Sequence, residues 1–274
     1  MKNILHKLII LIIVMESCSK NEVSNGLIEI NDIAYGSHPR QQLDIYLPKN
    51  RDKSMKVVLL IHGGGWLMGS KEDFYLEACY LAKHGFVSAA MNYRYAGNQT
   101  NVHYLQMMDD VRLAIQCILT KAPGLGFDNR GIALAGASAG GHLALLYSYG
   151  YDSLRKVRAV ISMAGPADIL AADLLAVPGM KNMLGIVVGD TDRTKWDNAN
   201  PIYFVSTNST PSCFFHGVPD NVVPYTQSVK LHEALNNAGV PNEIYLFDGS
   251  GHGFSDPDLK TVLEKSSLFL RKYF

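Results

Sequence analysis

The sequence has no excess of charge of either sign. Its 274 residues include 25 lysines and arginines and 25 aspartates and glutamates, so the formal net charge is zero. A protein that binds nucleic acid uses a surplus of cations to neutralise phosphate groups. We therefore expect no nucleic-acid partner.

Cysteine is scarce, with four residues in the chain. No pair has C-x-x-C spacing, and no cysteine or histidine lies in the grouping typical of metal sites. We expect Cys79, Cys117 and Cys213, which lie in apolar segments, to be buried free thiols. The sequence predicts no disulfide framework, no metal ion and no other cofactor.

Long hydrophobic runs are absent apart from residues 8–15. Spanning a bilayer takes about 20 apolar residues, so this run is too short to cross one. Lysines precede the run, and a small residue before a cysteine follows it, which is the arrangement of a secretion signal. We predict that residues 1–17 are a signal peptide and that residues 18–26 form a polar tether.

Cys18 follows the apolar run almost directly. Residues 15–18, Met-Glu-Ser-Cys, resemble a bacterial lipoprotein signal, in which cleavage before the cysteine leaves a thiol that receives lipid. The resemblance implies an exported protein whose lipid anchor at Cys18 holds it to a bacterial membrane, facing the periplasm or the cell exterior. The alternative is an ordinary cleaved signal and a periplasmic or secreted protein.

From residue 27 onward, β-rich runs alternate with helical patterns. Residues 27–35 and 43–48 alternate apolar and polar side chains, as in paired half-solvated strands, whereas four later runs are continuously apolar, as in buried parallel strands. This order predicts one α/β domain over residues 27–274, with a mostly parallel, doubly wound sheet flanked by helices. The apolar runs are residues 56–63, 85–93, 131–136 and 156–165; the helical patterns are residues 71–84, 103–121, 225–238 and 257–273.

Ser138 lies in "GASAG", between a buried strand and a predicted helix. In a nucleophile elbow the serine occupies a strained turn, and the residues two before and two after it must be small so that strand and helix can approach. Gly136 and Gly140 occupy those positions. The pattern alone is weak, because small residues in a turn often reflect only tight packing.

A serine hydroxyl becomes a nucleophile when a base takes its proton and a third group orients that base. His252 in "DGSGHGF" and Asp220 in "HGVPDNVVP" each follow a predicted strand, in the chain order Ser, acid, His that this fold requires. We predict that Ser138, Asp220 and His252 form a catalytic triad. Asp190 and Asp192 are competing acids, although they precede the strand after which the acid belongs.

The oxyanion that forms on the attacked carbonyl group needs backbone N–H donors. "HGGGW", residues 62–66, follows a buried strand and offers consecutive N–H groups without side chains to obstruct them. We predict that Gly64, Gly65 and Ala139, the residue after the serine, form the oxyanion hole. His62 is interpreted as a hydrogen-bonding brace of this loop.

Two further expectations concern neighbouring side chains. Arg94 and Asp110 are predicted to form a structural ion pair, with substrate binding by Arg94 as the alternative. Trp66 and Tyr95 are candidates for lining the cleft, with burial in the core as the alternative.

Four segments in family order, "HGGGW", "GASAGGHLA", "HGVPDNVVP" and "GSGHGF", resemble the serine esterases of the α/β-hydrolase fold. The chain looks closest to secreted bacterial carboxylesterases, including acetyl and feruloyl esterases that deacylate plant polysaccharides. It resembles hormone-sensitive-lipase-like esterases more loosely, since Ala137 stands where those enzymes usually have an acidic residue and no helical N-terminal cap precedes the first strand. Only residues 168–200 remain to cover the site, which implies at most a small cap.

The resemblance implies a serine carboxylesterase that hydrolyses short-chain acyl esters through an acyl-enzyme. Its substrate would be a small-molecule or carbohydrate-linked ester, such as an acetyl or feruloyl ester. An amide-cleaving relative, formamidase or peptidase, with the same triad is the alternative, and a non-catalytic binding protein is disfavoured because all three triad residues are present. The sequence predicts no particular oligomeric state.

Overall fold

The computed structural model describes residues 25–274. The predicted signal peptide, Cys18 and most of the predicted tether lie outside the described residues. No helix within residues 25–274 is long and apolar enough to cross a membrane.

An eight-stranded sheet forms the centre of the molecule, with strand order β1-β2-β4-β3-β5-β6-β7-β8. Strands β3 to β8 pair in parallel, whereas β1 pairs antiparallel with β2, and β2 antiparallel with β4. The prediction of a mostly parallel, doubly wound sheet is confirmed. The strands are β1 (Leu27–Ala34), β2 (Gln42–Pro48), β3 (Val57–Ile61), β4 (Val87–Met91), β5 (Ile132–Ala137), β6 (Val157–Met163), β7 (Ser212–Gly217) and β8 (Asn242–Phe247).

Helices cover both faces of this sheet. The buried apolar side chains of two helices, α1 and α7, join one cluster, and those of α2, α3 and α6 join the other. Successive residues of β3 alternate between the two clusters, as the two-residue period of a strand requires. The helices are α1 (Tyr75–Lys83), α2 (Tyr104–Leu125), α3 (Ala139–Leu146), α4 (Ala172–Leu175), α5 (Met180–Val188), α6 (Thr226–Asn237) and α7 (Asp256–Tyr273).

The segment that follows β6 forms the cover near the carboxyl edge of the sheet. It contains the short helices α4 and α5 and three 3-10 turns, Arg193–Lys195, Asp197–Ala199 and Pro201–Phe204. These elements agree with the prediction of a small cap.

Strand β2 differs from the expectation of a half-solvated strand. Its residues from Leu43 to Leu47 are all buried, because β2 lies between β1 and β4 and because Lys71 covers its polar face. Asp44 is only 4% exposed and accepts a hydrogen bond of 2.7 Å from the Lys71 ammonium group. Because the charge of Asp44 is paired with that of Lys71, β2 can be buried on both faces although its side chains alternate between apolar and polar.

The reversal of strand order determines where a ligand can bind. The chain runs from β3 outward to β4 and then returns to the other side of β3 to form β5. In open parallel sheets, the crevice outside the carboxyl ends of strands at such a reversal is the usual binding position. The loops after β3 and β5, which contain the predicted oxyanion glycines and Ser138, meet at this place.

Candidate active site

Ser138 occupies a strained turn between β5 and α3. Its backbone angles, φ 52° and ψ −120°, are unusual for a residue with a side chain. A Cβ atom on Gly136 would lie 2.3 Å from the carbonyl oxygen of Gly140, and one on Gly140 would lie 1.9 Å from the carbonyl oxygen of Ile61. The turn therefore requires glycine at both positions, as a nucleophile elbow does.

The structure brings the three predicted triad residues together. Nε2 of His252 lies 2.9 Å from Oγ of Ser138, and Nδ1 of His252 lies 2.7 Å from Oδ2 of Asp220. A neutral imidazole that donates from Nδ1 to the carboxylate can accept the serine proton at Nε2. The three groups thus form one hydrogen-bonded chain, although Ser138 lies 114 residues from His252 in the sequence.

Asp220 is buried and held by four hydrogen-bond donors. The backbone N–H groups of Val222 and Val223 donate to Oδ1, at 2.8 and 2.9 Å, while His252 and His216 contact Oδ2. Burial alone would raise the pKa of this carboxyl group, but the hydrogen bonds from His216, His252 and the backbone hold it well below its usual range. Asp220 therefore carries a negative charge at neutral pH.

His216 is a supporting residue that sequence reasoning did not identify. It is fully buried on β7, and its Nε2 lies 3.2 Å from Asp220 Oδ2 and 2.8 Å from the carbonyl oxygen of Val223. Its Nδ1 lies 2.7 Å from the hydroxyl of Ser228 on α6. Its position in "HGVPD", four residues before the acid at the end of a strand, was the available signal.

The competing acids take part in local contacts of the cap segment. Oδ2 of Asp190 lies 2.8 Å from Nζ of Lys195, and Asp192 accepts hydrogen bonds from Thr194. His252 therefore has Asp220 as its carboxylate partner.

The loop at residues 62–66 packs directly against the nucleophile. A Cβ atom on Gly63 would lie 3.4 Å from Cβ of Ser138, so the loop backbone and the serine are in close approach. Gly64 has φ +94°, and a Cβ atom there would lie 2.2 Å from the carbonyl oxygen of Met68. Ala139 is the first residue of α3, so no carbonyl group within the helix accepts a hydrogen bond from its N–H. This N–H points out of the amino-terminal end of the helix.

His62 braces this loop, as the sequence predicted. Its ring stacks on Tyr93 with 4.2 Å between centroids, and its Nδ1 lies 2.8 Å from the carbonyl oxygen of Gly63. Burial lowers the pKa of His62 to about 3, so the ring is neutral. A neutral ring that donates from Nδ1 accepts at Nε2, where Nη2 of Arg40 lies 3.3 Å away.

Arg40 is a second supporting residue that the sequence did not reveal. Its guanidinium group donates to the carbonyl oxygens of Tyr93 and Gly69, at 2.8 and 3.1 Å, and lies 3.6 Å from the centroid of the Tyr95 ring. Tyr95 thus serves as a stacking partner for this brace.

Trp66 belongs to the core, which was the alternative to a role in lining the cleft. It is 1% exposed, and its indole N–H donates to Nδ1 of His142. Nε2 of His142 lies 2.9 Å from the carbonyl oxygen of Ala199. Burial lowers the pKa of His142 to about 4, so a neutral ring links the 62–66 loop, the nucleophile helix and the cap segment.

Arg94 and Asp110 form the predicted structural ion pair. Nη2 of Arg94 lies 2.7 Å from Oδ1 of Asp110, which is fully buried, and Gln41 also donates to that carboxylate at 2.7 Å. The cysteines at positions 79 and 213 are buried free thiols as expected, whereas Cys117 is half-buried. Across residues 25–274, no three histidines, cysteines or acids are grouped closely enough to hold a metal ion.

A family comparison identifies the chain. The BD-FAE family matches residues 43–235, more than half of the sequence, including Ser138 and Asp220. The chain belongs to the BD-FAE family. The chain is also 29% identical to "Esterase LipC" of Mycobacterium tuberculosis over 81% of its own length and 59% of the relative. It spans little more than half the length of the first three curated relatives it matches, at 56%, 55% and 59%.

Solved structures share the α/β-hydrolase fold of this BD-FAE chain. Thermogutta terrifontis esterase 2 phosphonylated by sarin is 27% identical, with a TM-score of 0.76, over 88% of this chain and 94% of that one. A bifunctional GH43-CE protein of Bacteroides eggerthii is 26% identical, with a TM-score of 0.75, over 94% of this chain and 39% of that one.

Proposed function

We propose that the protein is a serine carboxylesterase, in which Ser138 is the nucleophile, His252 the general base and Asp220 the group that orients it. The hydrogen-bonded chain from Ser138 through His252 to Asp220 is the observation that carries the proposal. Membership of the BD-FAE family and likeness to proteins named as esterases support it.

In the first half of the reaction, Oγ of Ser138 attacks the ester carbonyl carbon while its proton passes to Nε2 of His252. The negative charge that develops on the carbonyl oxygen is stabilised by the N–H groups of Gly64, Gly65 and Ala139. Asp220, charged and buried, stabilises the imidazolium. The carbon–oxygen bond to the alcohol then breaks, His252 returns the proton to the alcohol, and an acyl-enzyme remains.

In the second half, a water molecule takes the place of the alcohol. His252 accepts a proton from the water as its oxygen attacks the acyl carbon, and returns that proton to Oγ of Ser138 as the carboxylic acid leaves. Each turnover consumes one ester and one water and regenerates the free serine.

We further propose that the substrates are short-chain esters of small molecules or carbohydrates, with acetyl or feruloyl groups as the acyl part. The small cap, with helices of four and nine residues, supports an open site for short acyl groups and bulky alcohols. The likeness to a protein named as bifunctional GH43-CE supports a carbohydrate ester. An amide-cleaving enzyme with the same triad would share this geometry and would hydrolyse formamides.

We also propose that the protein is exported and held to a bacterial membrane by lipid on Cys18. The basic and apolar start of the sequence and the position of Cys18 shortly after the apolar run support this.

Replacement of the nucleophile tests the proposal. We expect Ser138→Ala to lower kcat/KM on p-nitrophenyl acetate by roughly a thousandfold or more, because members of a triad act as a unit. Ser153→Ala, which removes an exposed serine in the turn before β6, is the matched control and should keep full activity. Unchanged activity in a folded Ser138→Ala protein would refute the proposal. A parallel panel of acetylated xylan, feruloyl esters and formamides then separates ester from amide substrates.

A further inference from the structure

Glu77 is a buried acid for which the proposed mechanism has no role. It is the third residue of α1 and is 4% exposed. Among residues 25–274, no group hydrogen-bonds its Oε2 atom. Because a buried polar atom without a partner is costly to the folded state, its position calls for an explanation.

Glu77 borders a small cavity that Ser138 and His252 also border. Its volume is about 20 Å³, close to the space that one water molecule needs. None of the proposed oxyanion donors, Gly64, Gly65 and Ala139, contributes to its wall, so the cavity borders the serine–histidine pair and not the oxyanion hole. The remaining wall residues are apolar: Phe74, Ala137, Met163, Phe254 and Leu259.

We propose that Glu77 is a positioning residue, whose carboxyl group acts across this cavity on proton transfer from Ser138 to His252. The inference rests on the proposed function, since it concerns the same serine–histidine pair. The small volume of the cavity and its apolar walls support this inference. Two charges interact strongly when little water lies between them, because the local dielectric constant is low.

The surroundings allow Glu77 to change charge in the neutral range. Burial raises the pKa of Glu77 to about 7, the N–H of its own residue opposes that rise, and the negative charge of Asp73 adds to it. The titratable groups near it are Asp73 in the turn before α1, Cys79 on α1 itself and His252 in the loop after β8. The wall residues from β5, β6 and α7 are apolar.

The charged form of Glu77 should favour the reaction. During acylation a positive charge forms on His252, which borders the cavity, while the negative charge forms beside the 62–66 loop, which does not. A carboxylate at Glu77 thus stabilises the imidazolium more than it opposes the oxyanion. This stabilisation of the imidazolium develops as pH rises through about 7, where Glu77 loses its proton. It is absent in a variant whose side chain at position 77 cannot ionise.

Glu77→Gln tests this inference, because it keeps the shape of the side chain and removes its charge. We expect the ratio of wild-type to Glu77→Gln kcat/KM on p-nitrophenyl acetate to rise by about threefold to tenfold as pH passes from acidic to alkaline, as for an interaction of half to one pKa unit. Glu233→Gln, which removes an exposed acid on α6, should give a flat ratio. A flat ratio for Glu77→Gln would overturn the inference. If Glu77→Gln does not fold, Glu77→Met serves in the same comparison.

Thermal unfolding provides a readout independent of activity. A carboxyl group whose pKa is higher in the folded than in the unfolded state makes the protein lose stability as pH rises between the two values, here from about 4.5 to about 7. The Tm of Glu77→Gln relative to wild type should therefore increase over that window and then stay constant. A difference that does not change with pH would also overturn the inference. The proposed function is tested separately: if Ser138→Ala is inactive, it stands whether or not the effects of Glu77→Gln depend on pH.

Discussion

Gly140→Ala is expected to disturb the nucleophile elbow severely. The added Cβ atom would lie 1.9 Å from the carbonyl oxygen of Ile61 and 2.5 Å from that of His62, whereas ordinary contact begins at 3.4 Å. Both obstacles are backbone atoms at the end of β3, so neither can turn aside as a side chain would. The nucleophile helix and the strand must separate by about 1.5 Å.

This separation predicts the size of the effect. Overpacking against rigid backbone should destabilise the fold by about 3 kcal/mol, which lowers Tm by roughly 6–12 °C in a domain of this size. Since Ser138 and the 62–66 loop move apart, kcat/KM on p-nitrophenyl acetate should fall by about a hundredfold, as expected for a displacement of about 1 Å at a catalytic site.

Gly124→Ala is the matched control. Gly124 is exposed near the end of α2, and an added Cβ atom there would meet nothing within 4 Å. The free energy of unfolding of the Gly124→Ala protein should differ from that of wild type by less than about 1 kcal/mol, and its kcat/KM should be unchanged. A Gly140→Ala protein with the Tm and kcat/KM of the control would refute the argument that close approach of α3 and β3 shapes the site.

Three further predictions follow from the same account. Asp220→Asn should lower kcat by about ten-thousandfold, because the amide favours the wrong tautomer of His252, while Asp192→Asn, as the control, should leave kcat unchanged; the opposite result would mean that the acid is misassigned. Hydrolysis of p-nitrophenyl esters should peak between acetate and butyrate and fall by roughly an order of magnitude by octanoate, because the small cap provides no long apolar channel; an optimum at decanoate or longer would contradict this. Growth with labelled palmitate should label the full-length protein and not Cys18→Ala; label retained by that variant would rule out the proposed anchor.

The fold and the principal site residues could be predicted because their signals are local in the sequence. Continuous apolar runs between helical patterns indicate buried parallel strands, and small residues around Ser138 indicate a tight turn between strand and helix. Parallel strands carry their following loops to one edge of the sheet. Chain order was therefore enough to select Asp220 and His252 as partners of Ser138.

Two supporting residues, Arg40 and Glu77, could not be predicted because their roles depend on contacts between distant segments. Arg40 reaches the ring of His62 from a loop before β2, and Glu77 reaches the cavity from α1. The burial of β2 depends in the same way on an ion pair between Asp44 and Lys71. None of these pairings leaves a periodic pattern or a fixed spacing in the sequence.

Covalent labelling tests the central claim most directly. A fluorophosphonate probe reacts with a serine that a neighbouring base has activated, so intact-mass and peptide analysis identify the nucleophile. We predict one adduct per chain, located on Ser138, absent from Ser138→Ala and formed far more slowly in His252→Ala. An adduct on another residue, or equally fast labelling of Ser138→Ala, would contradict the assignment of Ser138 as the nucleophile.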